Sequence, residues 1–350
     1  MEYEKVKNKS GKYSFKSNDV IENVTMLIEK NAKEIENASS ILETTKITDL
    51  NTDCMETIFE YLEFNDLLNL AESSKQFYTA VCEVYKRNFA SQTLTNDDRK
   101  SSSKYDEEKM ILIKTNPLKV LRNFGHVIKN FEVDFRWLNA KLCAEIENYL
   151  VIYCSDSLQR LCVFPDRSET TFKDLQKPLE KVTYLKIIIT LDQNINHIQF
   201  LNESNLPNVN KIEIYSYKFN TFGESSKKIH FENIEYFKYY GMRSSKYPFS
   251  FGNLKHLRIR GSCQVKDALC EFIGNVKDLK TLKLNEGCVD ADSLCKILEL
   301  QNVLSNLEEI QIECLFVLKF SPGDVLRFLK HLKLLRNKRL HGNNIIKFGC

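Results

Sequence analysis

What this chain has little of narrows it first. It has no long apolar run. The strongest, Leu185-Lys186-Ile187-Ile188-Ile189-Thr190-Leu191, falls far short of the ~20 residues a membrane-spanning helix needs. No apolar stretch follows Met1, so a secretory signal is not expected. Neither sign of charge dominates: 50 basic residues face 47 acidic ones for a net +3, and that balance makes no compositional case for nucleic-acid binding. The 11 cysteines are scattered, with no Cys-x-x-Cys pair. They read as reduced thiols inside a cell, in the cytoplasm and/or the nucleus. The six histidines are equally scattered, and neither a His-x-x-x-His pair nor a Gly-rich phosphate loop occurs. The expectation is therefore a protein that is not an enzyme, with no catalytic residues, no metal ligands and no cofactor.

What is there is apolar material for a sizeable core. Hydrophobic residues make up 43% of 350 and charged residues 28%, which fits a globular protein of about two domains. Two patterns organise it. The first starts at Leu50. Met55, Ile58, Phe59 and Leu62 recur at helical spacing and share one helix face. Thr52 or Asp53 can cap this helix, and Asn65 can cap a second one carrying Leu67, Leu68 and Ala71. A third runs from Ser74 through Phe77, Val81 and Val84 or Tyr85. Three helices this short cannot bury all of these groups among themselves, and each apolar side chain left exposed forgoes roughly 1.5–3 kcal/mol. Surplus apolar surface on a small helical unit predicts a partner.

The second pattern begins at Ile128. The template apolar-x-x-apolar-x-apolar occurs at Ile128/Phe131/Val133, Leu158/Leu161/Val163, Val182/Leu185/Ile187 and Val209/Ile212/Ile214. It recurs at Ile234/Phe237/Tyr239, Leu254/Leu257/Ile259, Leu279/Leu282/Leu284 and Leu307/Ile310/Ile312. Successive matches start 20 to 30 residues apart. In a strand the last two apolar positions point the same way, and one such strand cannot bury that face alone, whereas a stack can. Leu142/Ile146/Leu150, Ile195/Ile198/Leu201, Ala268/Leu269/Phe272/Ile273 and Leu294/Ile297/Leu298 predict helices behind the strands. Between Tyr215 and Phe251 the back is expected to be irregular. Cys263, Cys270, Cys288 and Cys295 recur at an interval of 25, and that spacing suits small buried thiols better than a zinc site.

The residues of the first pattern resemble an F-box, the segment that docks onto a Skp-family adaptor in cullin-RING ubiquitin ligases. Leu50, Ile58, Phe59, Leu62, Asp66, Leu67, Leu70, Lys75 and Phe77 match its motif. Asn51 stands where the motif has proline, and Ser73 stands where it has an apolar residue. The second pattern is similar to leucine-rich repeats. With Phe124-Gly125-His126-Val127-Ile128 leading in, the two together resemble insect-type F-box/leucine-rich-repeat proteins over about residues 47–340.

The resemblance implies an α/β chain: a three-helix F-box-like unit followed by a leucine-rich-repeat solenoid, a curved parallel sheet with a mixed helical and irregular convex side. Expected boundaries are 1–46 for a disordered N-terminus plus an amphipathic helix, 47–89 for the F-box-like unit, 90–117 for a linker and cap, 118–322 for the repeats, and 323–350 for a capping helix and basic tail. Leu50, Ile58, Phe59, Leu62, Leu67, Leu68 and Leu70 are expected to fold the unit and dock the adaptor, and through it a cullin. The concave face is expected to hold a protein target with Lys186, Lys211, Tyr215, Tyr236, Lys238, Tyr240, Arg258, Arg260 and Lys283, among bases and tyrosines at the centre and acids at the edges. The resemblance implies a substrate receptor whose target is sent to the proteasome. Asn51 and Ser73 leave open a repeat scaffold that binds a partner through a decayed F-box. Nucleic-acid binding by the basic, tyrosine-lined face is the weaker third class.

Overall fold

Alternating side chains on a pleated strand put every second residue on one face, and that rule builds most of this molecule. The computed structural model describes residues 47–96, 110–113, 116–165, 172, 175–189, 205–216, 229–241, 249–261, 266–285, 290–300, 305–313, 322–323, 326–327, 330 and 345–349. It opens with a 3-10 turn at Ile47–Asp49, then helices α1 (Thr52–Phe59), α2 (Phe64–Ser73) and α3 (Lys75–Asn88). Strands β1 (Thr93–Thr95) and β2 (Met110–Leu112) follow, then α4 (Pro117–Phe124), β3 (Asn130–Asp134), α5 (Ala140–Cys154), β4 (Arg160–Phe164), β5 (Tyr184–Ile189) and β6 (Lys211–Ser216). The remainder comprises β7 (Ile229–Phe231), β8 (Tyr236–Gly241), β9 (Phe249–Phe251), β10 (His256–Arg260), α6 (Lys266–Gly274), β11 (Thr281–Leu284), α7 (Ala291–Glu299), β12 (Glu309–Glu313) and β13 (Ile345–Gly349).

Eleven strands form one sheet in the order β13-β12-β11-β10-β8-β6-β5-β4-β3-β1-β2, and neighbours run parallel throughout. The template sets the register. Phe131, Leu161, Leu185, Ile212, Phe237, Leu257, Leu282 and Ile310 lie side by side across eight strands. Val133 through Ile312 form a second such row two residues on. Every residue of all eight template matches is buried.

The helices behind this face arise as the spacing predicts at α5, α6 and α7. The back between Tyr215 and Phe251 differs from the irregular segment expected. Among the described residues, β7 and β9 pair there as a small parallel sheet of their own. Phe231, Phe249 and Phe251 form an aromatic layer with Phe237 and Phe272, so alternating aromatics take the place of a helix.

The segment 90–117 contributes β1 and β2 to the sheet, and the chain end contributes β13 beside β12. The amphipathic helix near 19–44, the helix at 195–201, Cys263, Cys288 and the basic tail lie outside the described residues. So does most of the closing helix, of which 322–323, 326–327 and 330 are helical.

Helix α4 joins the two patterns. Asn116 caps it by accepting from the Leu118 N–H at 2.9 Å, with Pro117 in its first turn. Phe124 stacks on Tyr85 of α3 with ring centroids 5.0 Å apart, and Phe64 of α2 lies 5.8 Å from the same ring. Lys119 reaches Glu72 at 2.9 Å, and the Tyr78 hydroxyl donates to the Asn123 carbonyl at 2.9 Å. At the next residue, Gly125, a Cβ would come within 2.5 Å of the Tyr153 Cβ, so only glycine lets α4 end against α5. One continuous core results, running from Met55 to Ile312. Phe124→Ala should remove the ring that both halves share and cost about 3–5 kcal/mol. Urea unfolding of the intact chain measures this, and a loss under ~1 kcal/mol would show that the junction is not a packed core.

Candidate adaptor and target interfaces

Local chemistry explains the helical unit. Asn51, the departure from the F-box motif, is the cap of α1: its side chain accepts from the Cys54 N–H at 2.8 Å. This corrects the expected cap at Thr52 or Asp53, which lie inside the helix. Asn65 is likewise no cap. It sits in the first turn of α2, where Glu63 holds the cap position without a side-chain hydrogen bond. Ser74 caps α3 by accepting from the Gln76 N–H at 3.2 Å, and the Gln76 amide donates to the Thr48 carbonyl at 2.6 Å, pinning the leading turn. Ser73, the other departure, is exposed and returns its hydroxyl to the Leu70 carbonyl at 2.8 Å. Arg87 of α3 ion-pairs with both Glu56 and Glu60, clamping α1 to α3. Those two glutamates one helical turn apart were the sequence signal for that clamp.

The seven apolar residues expected at the adaptor contact divide in two. Phe59, Leu67 and Leu68 are no more than 1% exposed. Their burial suits the folding half of the role expected of the seven, because a side chain sealed in its own core presents nothing outward. Leu50, Ile58, Leu62 and Leu70 pack on the core yet keep part of their surface in solvent. Tyr61, beside Leu62, is 85% exposed and adds an aromatic group that periodicity did not single out. Leu50, Ile58, Tyr61, Leu62 and Leu70 are thus partly or fully open, as are Ile47, Tyr78 and Phe89 elsewhere on this unit.

The polar face of the sheet carries three registered rows. One holds Arg160, Tyr184, Lys211, Tyr236 and His256, and the next Cys162, Lys186, Glu213, Lys238, Arg258 and Lys283. The third includes Tyr215, Tyr240 and Arg260. All nine residues expected at the target contact therefore share one face.

Glu213, outside the nine expected residues, anchors this face. It is 7% exposed, with Lys238 at 3.1 Å, Lys211 at 3.4 Å and the Tyr215 hydroxyl donating at 3.0 Å. Burial pushes its carboxyl up, but the two ammonium groups and the hydroxyl outweigh that and hold it below the usual carboxylate range. Burial, with Glu213 nearby, pushes the phenols of Tyr184 and Tyr236 up, so both stay neutral. At one edge the acids of this same face are buried. Glu132 accepts from Thr95 at 3.0 Å, and Asp134 takes Arg136 through two bonds at 2.8 and 2.6 Å. At the other edge Lys283 reaches Glu309 at 3.5 Å.

Among the described residues no group of three or more His, Cys, Asp or Glu is placed to hold a metal, and no helix is long and apolar enough to cross a membrane. Cys295 is buried and Cys270 partly so, its thiol 3.7 Å from the Ser293 carbonyl.

Three short helices with a partly open apolar edge lead straight into a parallel sheet. The family model for the F-box domain matches residues 47–89, and the chain carries that domain. F-box domains generally bind Skp-type adaptors, and F-box proteins are generally adaptors rather than enzymes. A search of the curated proteins finds no match to this chain.

Glu213 yields a pH prediction. A carboxyl held low in the folded state stabilises fully above its unfolded value, near 4.5, and loses that contribution as pH falls through the folded value. Glu213→Gln should cost up to about 3 kcal/mol at neutral pH. Across a urea-unfolding series, its gap from the parent protein should close below pH 4.5. A gap that stays constant into acid would contradict the pairing.

Proposed function

We propose that this chain is the substrate-recognition subunit of a cullin-RING ubiquitin ligase. Its F-box docks a Skp-family adaptor, and its parallel strands act as leucine-rich repeats that hold a target protein on their polar face for ubiquitylation and proteasomal degradation. The observation that carries the reading is the combination of an F-box that keeps Leu50, Ile58, Leu62 and Leu70 partly open with a core continuous into the sheet. The repeat assignment is supported by eight matches of one template, buried and in register, at intervals of 20 to 30 residues.

Such a protein makes no bond itself. It holds target lysines near a charged conjugating enzyme, and the gain is one of effective concentration. A rigid connection favours this, because a fixed span keeps the target within reach rather than averaging it over a volume. Asn51 as a working cap favours an intact F-box over a decayed one.

Capture of the purified chain by a Skp-family adaptor tests the reading. Ile58→Asp and Leu62→Asp should each abolish capture while leaving the far-ultraviolet circular dichroism unchanged. Each places a charge on partly open surface, and a desolvated unpaired charge costs several kcal/mol on binding. Phe59→Asp should instead unfold the helical unit. Failure of the unaltered chain to be captured would favour a binding scaffold that does not assemble a ligase.

A further inference from the structure

The polar face of β5, β6, β8, β10 and β11 carries more positive charge than the entire chain. Lys186, Lys211, Lys238, Arg258, Arg260 and Lys283 stand on it against a single carboxylate, Glu213. That surplus of five compares with a net +3 for all 350 residues. Glu309 on the neighbouring strand β12, 3.5 Å from Lys283, still leaves a surplus of four.

The cations are spread rather than gathered. Lys238, Arg258 and Lys283 occupy one row on adjacent strands, at steps of about 4.8 Å. Arg258 and Arg260 lie two apart on the same strand, about 6.6 Å along it. A charge array strung out like this complements carboxylates along an extended chain better than a single phosphate, which calls for donors converging on a point.

The tyrosines decide against nucleic acid. Lys211 lies over the rings of both Tyr184 and Tyr236, at 4.7 Å each, Lys238 lies 4.9 Å from that of Tyr215, and Arg260 lies 5.6 Å from that of Tyr240. Each ring already carries a cation, so no open aromatic platform is offered for a stacked base. The same contacts hold the cations in place, which lowers the ordering cost of binding.

We propose that this face takes an extended Asp/Glu-rich segment of a partner protein. The inference rests on the ligase reading for the fate of that partner. The full-length chain is titrated into a fluorescein-labelled sixteen-residue peptide alternating Glu and Ser, and anisotropy is followed. Arg258→Glu with Arg260→Glu should weaken binding more than about tenfold. Arg260→Glu alone, on an exposed side chain, should weaken it measurably without disturbing the fold. A peptide with Gln in place of Glu should not bind. Unchanged affinity in the double variant, or equal binding of the Gln peptide, would overturn the proposal. So would displacement of the peptide by a sixteen-residue oligouridylate, or tighter binding of a Gln peptide bearing one phosphoserine. Adaptor capture is read on the same preparations. Peptide binding with no adaptor capture supports this proposal and strikes the ligase reading alone.

Discussion

Phe124 stacked on Tyr85 is the contact on which the rest depends. Helices α1 to α3 contain too few residues to close a core of their own. Tyr85 and Phe64 therefore turn one side of the unit toward α4, which the Gly125 approach presses against α5. Strand β1 begins only a few residues past α3 and pairs directly with β3. The F-box is thus built into the sheet's interior on one side, while Leu50, Ile58, Leu62 and Leu70 stay partly open.

The sheet divides its labour by the same pleat that builds it. Template residues fill one face and are buried at all eight matches. The intervening residues are under no such demand, and charge accumulates there, organised around Glu213. That carboxylate is nearly enclosed, yet it remains ionised because Lys211, Lys238 and Tyr215 replace the water it has lost. A registered parallel sheet brings residues some 25 positions apart in the chain to neighbouring places, and that is how scattered lysines and arginines become one surface.

Much of this was legible in the sequence, and the rest fails for identifiable reasons. β3 to β6, β8 and β10 to β12 carry the template plainly, because two buried residues at a spacing of two are a strong signal. β13 lacks the full template, although Ile346 and Phe348 lie in register with Ile310 and Ile312, because the position three before Ile346 is the polar Asn343. β1 lacks it because its three residues hold only Leu94 as an apolar member. β7 and β9 hide because aromatics at Phe231, Phe249 and Phe251 fill the layer where a helical period was sought. Within the F-box, helical spacing placed Ile58 and Phe59 on one face, but only packing against α3 shows Phe59 sealed in and Ile58 half open, and the Asn51 cap is decided by local hydrogen bonding that residue type alone does not rank above Thr52 or Asp53. Glu213 is visible as one acid in a basic row; its central role depends on β8 lying beside β6, which brings Lys238 to it from 25 residues along the chain.

The central claim is that the F-box helices and the parallel sheet form one cooperative body. Native-state hydrogen exchange tests it most directly, by comparing the amides of Val81, Val84 and Tyr85 in α3 with those of Phe131 and Val133 in β3. Both sets should exchange through the same global opening, with equal protection and equal dependence on denaturant. Protection in α3 that is lost well below that of β3, with the sheet still closed, would contradict it.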